Sequence, residues 1–261
     1  MSHDPVMTQR EGAVGVLRFN RTDKLNALDM TMVQAIDTAF GALQADPQVR
    51  VIVLTGADDR AFMAGGDIND LATRRPRTWH DEFGPMIHGL FQRIESCDKP
   101  TVAAVNGWAL GGGMELMLCT DLRLMAAEAK IGLPEIKLGL FPGGGGSQRL
   151  MRQIPLCQAK MLMFTGDSLS APQALALGLV NEVVPRAQLM DQALALAARV
   201  ATMSAQTLKL LKQAMLHGAQ MPLGSALAYE RAMLGIAFDH ADAREGCTAF
   251  LEKRPARFAG T

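Results

Sequence analysis

Hydrophobic residues in the first half of the chain follow two different periods, which indicates that strands and helices alternate. Runs of β-branched and aliphatic residues predict strands at Val14–Asn20, Arg50–Gly56, Thr101–Asn106, Leu122–Ala126 and Lys130–Leu133. Between these runs, Asp29 is placed to cap a helix that ends near Gln44, and a second helical pattern covers residues 81–96. The alternation predicts an α/β fold.

From Ser170 onward the pattern is mainly helical, and prolines stand near the expected helix boundaries. No long linker, low-complexity segment or fixed repeat separates one part of the chain from another. A chain of 261 residues is at the upper edge of single-domain size. We therefore predict one compact core, residues 1–195, followed by a C-terminal helical region, residues 196–261.

The composition narrows the range of partners. Lys plus Arg and Asp plus Glu each number 26, so no net field attracts nucleic acid or an anionic membrane. No stretch approaches about 18 uninterrupted apolar residues, and the N-terminus lacks the apolar core of a signal peptide. We therefore expect a cytoplasmic protein that binds neither nucleic acid nor a membrane.

The four cysteines lie far apart, without a C-x-x-C pair and without a histidine cluster beside them. This spacing predicts buried free thiols rather than a metal site. The 17 methionines are interpreted mainly as core filling. Met63, Met114 and Met117 lie close to the glycine-rich segments described below and are alternative candidates for the wall of a pocket.

Nucleotide binding is the first hypothesis to test on the glycine-rich segments. The run Gly143–Gly146 begins like a dinucleotide fingerprint, but Gln148 stands at its last position and no clear strand precedes the loop. No Gly-Lys-Ser/Thr follows any glycine run, which argues against a P-loop. Phosphoryl transfer is therefore not predicted.

The segment from Lys99 to Cys119 predicts a strand, a turn and a helix that starts near Gly112. Glycine at a helix start lets a ligand approach the unpaired N–H groups, where the helix dipole favours negative charge. This arrangement can form an oxyanion hole, although the glycines can also simply permit tight helix packing. Glu115 lies among apolar helix residues, where burial without a partner is unfavourable. It is therefore either exposed on a groove or functional.

A second acid, Glu135, follows Pro134 in a segment rich in glycine. By itself it has two interpretations, an ion pair with Lys137 or Lys130 and a catalytic carboxyl group. Together with Glu115 it becomes a candidate for acid–base catalysis by two carboxyl groups. Spacing alone does not show that the two side chains meet.

Five segments, in order along nearly the whole chain, resemble the signatures of the enoyl-CoA hydratases, the crotonase family. They are Asn20-Arg21 with Leu25–Leu28, Phe62–Ile68, Asn106–Glu115, Leu133–Glu135 with Gly139 and Pro142–Arg149, and Glu245-Gly246 with Phe250–Arg254. The resemblance implies a crotonase-like spiral of ββα units that holds the coenzyme A and catalytic site, followed by C-terminal helices that mediate trimerisation. Trimers of this family often pair into hexamers.

The substrate that the resemblance implies is a trans-2-enoyl-CoA, to which water is added reversibly to give a 3-hydroxyacyl-CoA. The resemblance implies no metal, nucleotide or prosthetic group. Coenzyme A is counted as part of the substrate. The backbone N–H groups of Gly66 and Gly112 are expected to hold the thioester oxygen. Glu115 is expected to activate the water toward C3, Glu135 to deliver a proton to C2, and Gly143 to orient the water through its backbone.

The resemblance also implies contacts with the substrate at both ends of the chain. The residues concerned are Asn26, Ala27, Ala64, Gly66, Asp67, Ile68, Gly112, Phe250 and Lys253. Phe250 and Lys253 are expected to reach the coenzyme A site of a neighbouring subunit, where an aromatic ring suits adenine and an ammonium group suits phosphate. An ordinary solvated helix end is the alternative for these two residues.

Two alternatives to hydration stay open. Double-bond isomerases of this family typically lack the first acid, and dienoyl isomerases place an aspartate where this chain has Gly143; neither substitution is present. A non-catalytic, RNA-binding relative is the more remote alternative, and the balanced charge argues against it. The preferred acyl group depends on residues between Gly66 and Ile94, where the resemblance is weakest.

Overall fold

The computed structural model describes residues 4–258, which form two sheets with helices packed around them. In chain order, the strands are β1 (Val6–Glu11), β2 (Val14–Phe19), β3 (Val51–Gly56), β4 (Ala61–Met63), β5 (Thr101–Val105), β6 (Trp108–Leu110), β7 (Leu122–Ala126), β8 (Lys130–Gly132), β9 (Ser168–Ser170) and β10 (Glu182–Val184). The α-helices are α1 (Met30–Ala45), α2 (Ile68–Thr73), α3 (Pro76–Thr78), α4 (Gly84–Glu95), α5 (Gly112–Met117), α6 (Gly146–Gln153), α7 (Leu156–Thr165), α8 (Ala171–Ala176), α9 (Leu189–Ala201), α10 (Ala205–Gly218), α11 (Leu223–Asp239) and α12 (Ala241–Leu251). Short helical turns of other types lie at Thr22–Lys24, Trp79–Phe83, Pro134–Leu138 and Arg186–Gln188.

From β3 to β8, successive strands alternate between the two sheets. One sheet has the order β1-β2-β3-β5-β7-β10 and the other has the order β4-β6-β8-β9. The strands from β2 to β10 in the larger sheet are parallel, and so are β4, β6 and β8 in the smaller sheet. Because β3 leads to β4, β5 to β6 and β7 to β8, each turn of the chain adds one strand to each sheet. This alternation produces a spiral of ββα units.

The core lies between the sheets and the helices that cover them. Every residue of β3 and β5 is buried, as expected for central parallel strands covered on both faces. The rings of Phe19 in β2 and Phe62 in β4 pack edge to face with their centroids 5.1 Å apart, which joins the two sheets. At the start of α1, Oδ1 of Asp29 accepts a hydrogen bond from the N–H of Met32 at 2.8 Å.

The predicted alternation of strands and helices is confirmed. Each of the five predicted strands is present with its ends shifted by no more than one residue, and Asp29 caps a helix that ends at Ala45. The pattern missed β1, β4, β6, β9 and β10. β4, β6, β9 and β10 are three residues long, which gives little period to recognise, and β1 is an edge strand with a mostly exposed surface. The three-residue strand β8 was predicted because it lies within the aliphatic run Lys130–Leu133.

The prediction of buried free thiols is correct for two cysteines and wrong for the other two. Cys97 and Cys119 are buried, whereas Cys157 and Cys247 are exposed. The exposed pair lie on α7 and α12, where a helix turns one face to solvent and a cysteine can occupy either face.

The methionines near the glycine-rich segments are core residues. Met63, Met114 and Met117 are completely buried in the main hydrophobic cluster, which confirms their interpretation as core filling. The division of the chain at residue 195 stays a prediction, and that position falls inside α9, which packs against β3 and β5. No helix within residues 4–258 combines the length and apolar character that a bilayer crossing requires.

The first turn of α5 lies directly against β4. A Cβ atom added at Gly113 would overlap the backbone carbonyl oxygen of Met63, so only glycine permits this approach. Gly89, on α4, offers the opposite case, because an added Cβ there would have no heavy atom within 4 Å. The close approach of α5 to β4 therefore rests on the missing side chain at Gly113.

We predict that Gly113→Ala lowers the free energy of unfolding by about 1–3 kcal/mol, because the backbone of α5 or β4 must move. Gly89→Ala should raise the free energy of unfolding by up to about 1 kcal/mol, since alanine is the better helix former. Urea unfolding followed by circular dichroism measures both. Equal stability of the two variants would contradict the tight packing of α5 on β4.

Candidate active site

Three loops that carry polar groups begin at the carboxyl ends of β4, β6 and β8, which are neighbours in the smaller sheet. β4 leads to Gly66, β6 leads to Gly112 at the start of α5, and β8 leads to Glu135. Because the three strands are parallel, their carboxyl ends meet at one edge of the sheet. Residues that are far apart in the sequence are thereby brought together.

A cavity of about 70 Å³ lies at this edge, large enough to hold water. Its polar lining comes from Gly66, Gly112, Glu115, Glu135, Gly143 and Gly144, and its apolar wall from Leu28, Leu71, Trp79, Phe83, Ile87, Leu140 and Phe141. A larger cavity of about 600 Å³ shares part of this wall, including Trp79 and Phe141. The small cavity therefore combines two carboxyl groups with an apolar surrounding and adjoins a larger cavity.

Glu115, on α5, is only 3% exposed. Its Oε1 accepts a hydrogen bond from the N–H of Gly146 at 2.7 Å. Burial raises the pKa of Glu115, while the N–H groups of Gly146 and Gly144 and the positive charge of Arg149 oppose that rise by stabilising the carboxylate. A Cβ atom at Gly144 would come within 2.6 Å of Oε2 of Glu115, so the loop must be glycine to pack this closely. The carboxyl group is thus buried and supplied with donors.

Glu135, in the turn Pro134–Leu138, has a different surrounding. Burial raises its pKa to about 7, its own backbone N–H opposes the rise, and the negative charge of Glu115 adds to it. Its Oε2 is buried without a hydrogen-bond partner among the described residues. The carboxyl group therefore favours its protonated form more than an exposed glutamate does.

The alternative ion pair between Glu135 and a nearby lysine is not formed. Lys137 instead contacts Asp167, with 3.7 Å between Nζ and Oδ1. The Nζ atom of Lys130 lies 5.8 Å from the centroid of the Trp108 ring. Across residues 4–258, no lysine or arginine forms an ion pair with Glu135. The interpretation of Glu135 as one half of a structural ion pair is therefore excluded.

Gly66 and Gly112 line the same cavity, and the local backbone pairing leaves their N–H groups unused. Gly66 forms a parallel bridge with Leu28, in which the Leu28 N–H donates to the Gly65 carbonyl at 2.7 Å and the Asp67 N–H donates to the Leu28 carbonyl at 2.8 Å. The N–H of Gly66 itself takes no part in this bridge. Gly112 is the first residue of α5, so its N–H has no partner within the helix.

A profile of the enoyl-CoA hydratase/isomerase family matches residues 9–261. The chain belongs to this family. It is 38% identical over 254 residues to the short-chain-enoyl-CoA hydratase of Clostridium acetobutylicum, with 97% of each protein covered. It is 39% identical over 261 residues to the crotonyl-CoA hydratase of Syntrophomonas wolfei, with 99% of each protein covered.

Solved structures of the enoyl-CoA hydratase/isomerase type have the same fold. One from Geobacillus kaustophilus has a TM-score of 0.94 at 40% identity, with 98% of both chains covered. The enoyl-CoA hydratase of Bacillus anthracis has a TM-score of 0.94 at 33% identity, covering 98% of this chain and 100% of that one. The crotonase-like fold expected from the sequence, an α/β spiral followed by a helical region, is therefore confirmed.

The residues predicted to form the site of this hydratase/isomerase chain fall into three groups. The cavity brings together Gly66, Gly112, Glu115, Glu135 and Gly143. Near the bridge between Leu28 and Gly66, but outside the cavity lining, are Asn26, Ala27, Ala64, Asp67 and Ile68. On the exposed surface at the end of α12 are Phe250 and Lys253. The first group is assembled within one chain. The third group is remote from it in the sequence and does not line the cavity.

Two residues of the second group use their side chains to shape the loops around Gly66. Nδ2 of Asn26 donates to the carbonyl oxygens of Ala61 and Phe62 at 3.0 and 3.1 Å. Oδ2 of Asp67 accepts a hydrogen bond from Arg21 at 2.9 Å. A substrate contact at these positions would therefore come mainly from the backbone.

The apolar wall and the donors to Glu115 were not predicted from the sequence. Trp79 lies just before the predicted helical pattern of residues 81–96, Phe83 lies inside that pattern without an assigned role, and Phe141 lies in a loop. The donors Gly144 and Gly146 lie inside the four-glycine run, so the signal was present as a motif without an assigned role. A buried acid that needs several close N–H groups is the physical reason for such a run.

We predict that Glu135→Gln changes how stability depends on pH. Because the folded pKa of about 7 lies above the ordinary 4.5, the folded protein keeps a proton that the unfolded chain releases between these values. The stability contribution of Glu135 is full below pH 4.5 and is lost as the pH rises through 7. Glutamine does not titrate, so the variant should lack this decrease in the free energy of unfolding, which is on the order of 2 kcal/mol. Urea unfolding at about pH 5 and about pH 8 measures the difference, and identical pH dependence in both proteins would contradict it.

Proposed function

We propose that this protein is an enoyl-CoA hydratase, a hydro-lyase that adds water reversibly across the 2,3 double bond of a trans-2-enoyl-CoA. The contrast between the two buried acids carries the proposal. Glu115 accepts a backbone hydrogen bond from Gly146 that stabilises a carboxylate, whereas Glu135 has an unpaired buried oxygen and a pKa of about 7. One acid therefore suits a base and the other a proton donor, as hydration requires. The hydratase names of the two bacterial relatives support the same reaction.

In the proposed mechanism, the thioester oxygen accepts hydrogen bonds from the N–H groups of Gly66 and Gly112. These bonds withdraw electrons from the double bond, so that C3 becomes electrophilic and the enolate-like state is stabilised. Glu115 takes a proton from the water as the water oxygen bonds to C3, and Glu135 gives its proton to C2. Gly143 helps to orient the water through its backbone. In dehydration the two acids exchange roles.

The proposed reaction uses water and groups of the protein, without a separate cofactor, because coenzyme A enters as part of the substrate. Double-bond isomerisation is the second candidate, since the matching family includes isomerases by its description. Proton movement between two carbons needs one acid, so the second buried acid favours hydration. Incubation with 2-enoyl and 3-enoyl thioesters, followed by identification of the products, separates the two reactions.

We also propose a cytoplasmic homotrimer, or a pair of trimers. Large apolar side chains are exposed on α10 and α11, as a subunit interface requires; they include Leu211, Met215, Leu223, Leu227, Leu234 and Phe238. Phe250 and Lys253 lie outside the cavity lining of their own chain. We propose that they contact the adenine and phosphate of the coenzyme A bound to a neighbouring copy.

We predict that Glu115→Gln and Glu135→Gln each lower the rate of hydration by ~10²–10⁴-fold, with affinity for the thioester largely kept. The amide has the size of the acid but can neither take up nor release the proton. Loss of enoyl-thioester absorbance measures the rate. Glu128→Gln, at an exposed position between β7 and β8, is the control and should keep normal turnover. Near-normal turnover of either test variant would exclude the mechanism with two carboxyl groups.

We predict that Phe250→Ala and Lys253→Ala raise KM for the thioester by about 10-fold while kcat changes little, because neither residue takes part in the chemical step. Steady-state kinetics measure both constants, and light scattering checks that the assembly is unchanged. A normal KM in both variants would favour the solvated helix end instead.

A further inference from the structure

The four-glycine loop, residues 143–146, is held on one side by two side chains. Nε2 of His88, on α4, lies 2.6 Å from the carbonyl oxygen of Gly143. Because this oxygen can only accept, the ring donates here with its proton on Nε2. Nη1 of Arg149, on α6, donates to the carbonyl oxygen of Gly144 at 3.2 Å. Two consecutive carbonyl groups of the loop are therefore bound by side chains from two helices.

Arg149 is itself held by an ion pair. Its Nε and Nη2 donate to the two carboxylate oxygens of Glu95 at 3.1 and 2.9 Å, a bidentate geometry. The side chains of Arg149 and Glu95 are 17% and 29% exposed, so water screens the pair only in part. Gly145 has a φ of +107°, and a Cβ atom there would overlap Nη1 of Arg149. The loop is thus shaped around the guanidinium group as well as around Glu115.

These contacts reach Glu115 through the peptide groups of the loop. The carbonyl group of Gly143 and the N–H of Gly144 belong to one planar trans peptide and point in opposite directions. His88 binds the carbonyl side, and the N–H side stabilises the carboxylate of Glu115. A hydrogen bond to the carbonyl polarises the peptide and strengthens donation from its N–H.

Arg149 acts in the same direction. It lies three residues after Gly146, whose N–H donates to Oε1 of Glu115 at 2.7 Å, so its ion pair also holds the start of α6. Its positive charge opposes the rise in the pKa of Glu115 that burial causes. Both its position and its charge therefore favour an ionised Glu115.

We propose that His88 and the Arg149–Glu95 ion pair are positioning residues for Glu115. They hold the four-glycine loop so that its N–H groups stay directed at the carboxyl group of Glu115. This inference rests on the proposed hydration, in which Glu115 is the base. Among the described residues, the lining of the small cavity does not include His88, Arg149 or Glu95, whereas His88 also lines the larger cavity beside Gly143. The contacts of His88 and Arg149 with the loop carbonyl groups are the route to Glu115 that we propose.

Arg149→Met and His88→Leu test the proposal, with Arg152→Met as the matched control. Arg152 lies on the same helix and donates to the Gln148 carbonyl at 2.7 Å, so its loss removes an equal charge without changing a contact to the four-glycine loop. We expect each test variant to lower kcat for crotonyl-CoA about 10-fold, with KM nearly unchanged, because the base is displaced. The control should keep the normal kcat.

Conservative variants show which property matters. Arg149→Lys keeps the charge and His88→Gln keeps a side-chain N–H donor, so each should recover part of the lost kcat. Glu95→Gln combined with Arg149→Met should be no slower than Arg149→Met alone, because the pair acts as one unit. Additive losses would contradict a shared role.

The pH profile distinguishes positioning from a general loss of structure. The charged or titratable groups that surround Glu115 are Glu135, Arg149, His88, Glu95 and Cys119. Without the positive charge of Arg149, burial should raise the pKa of Glu115 further. The acid limb of kcat/KM should therefore move upward by roughly one pH unit. A residue with a merely structural role would reduce the amount of folded protein and leave the limb in place.

A ¹³C NMR titration of the Glu115 carboxyl group gives a readout that does not need turnover, with Glu115→Gln used to assign the signal. We expect its midpoint to rise in Arg149→Met and to stay unchanged in Arg152→Met. If the wild-type protein hydrates crotonyl-CoA but Arg149→Met and His88→Leu keep the normal kcat and acid limb, the inference is wrong and the proposed function stands. If the wild-type protein hydrates no enoyl thioester, the proposed function is wrong, and the titration alone decides whether the loop positions Glu115.

Discussion

The parallel pairing of β4, β6 and β8 is the constraint on which the site depends. Each strand has only three residues, yet the loop that follows each one carries a different part of the chemistry. Ala61 pairs with Trp108, and Trp108 pairs with Lys130, so the three strands run side by side and end at one edge. A slip of one residue in this sheet would turn side chains to the opposite face and separate the groups that now share a cavity.

Burial has two effects at this edge of the sheet. The apolar wall that includes Trp79, Phe83 and Phe141 shapes the cavity, and the same exclusion of water raises the pKa of both acids. The difference between the acids comes from their neighbours. Glu115 has backbone donors from the four-glycine loop, whereas Glu135 has an unpaired oxygen. Two residues of the same type are thereby given different chemical properties.

Helix α4 connects the parts of the site that the smaller sheet does not provide. Its Ile87 contributes to the apolar wall, the next residue, His88, contacts the four-glycine loop, and Glu95 at its end holds Arg149. α4 is packed on α1, which is anchored at its start by the Asp29 cap. One helix thus links the shape of the cavity with the support of the loop.

The α/β alternation, the family and the two acids with their glycine-rich neighbours could all be predicted from the sequence, because local period and motif order express these features. The short strands β4, β6, β9 and β10 were not predicted, because they are defined by pairing with other segments rather than by a period of their own. Three features became visible only in the folded chain: Glu115 and Glu135 share a cavity, Lys137 contacts Asp167 instead of Glu135, and Cys157 is exposed. The physical reason is that burial and distance between remote residues follow from strand pairing and helix packing, which no local pattern contains.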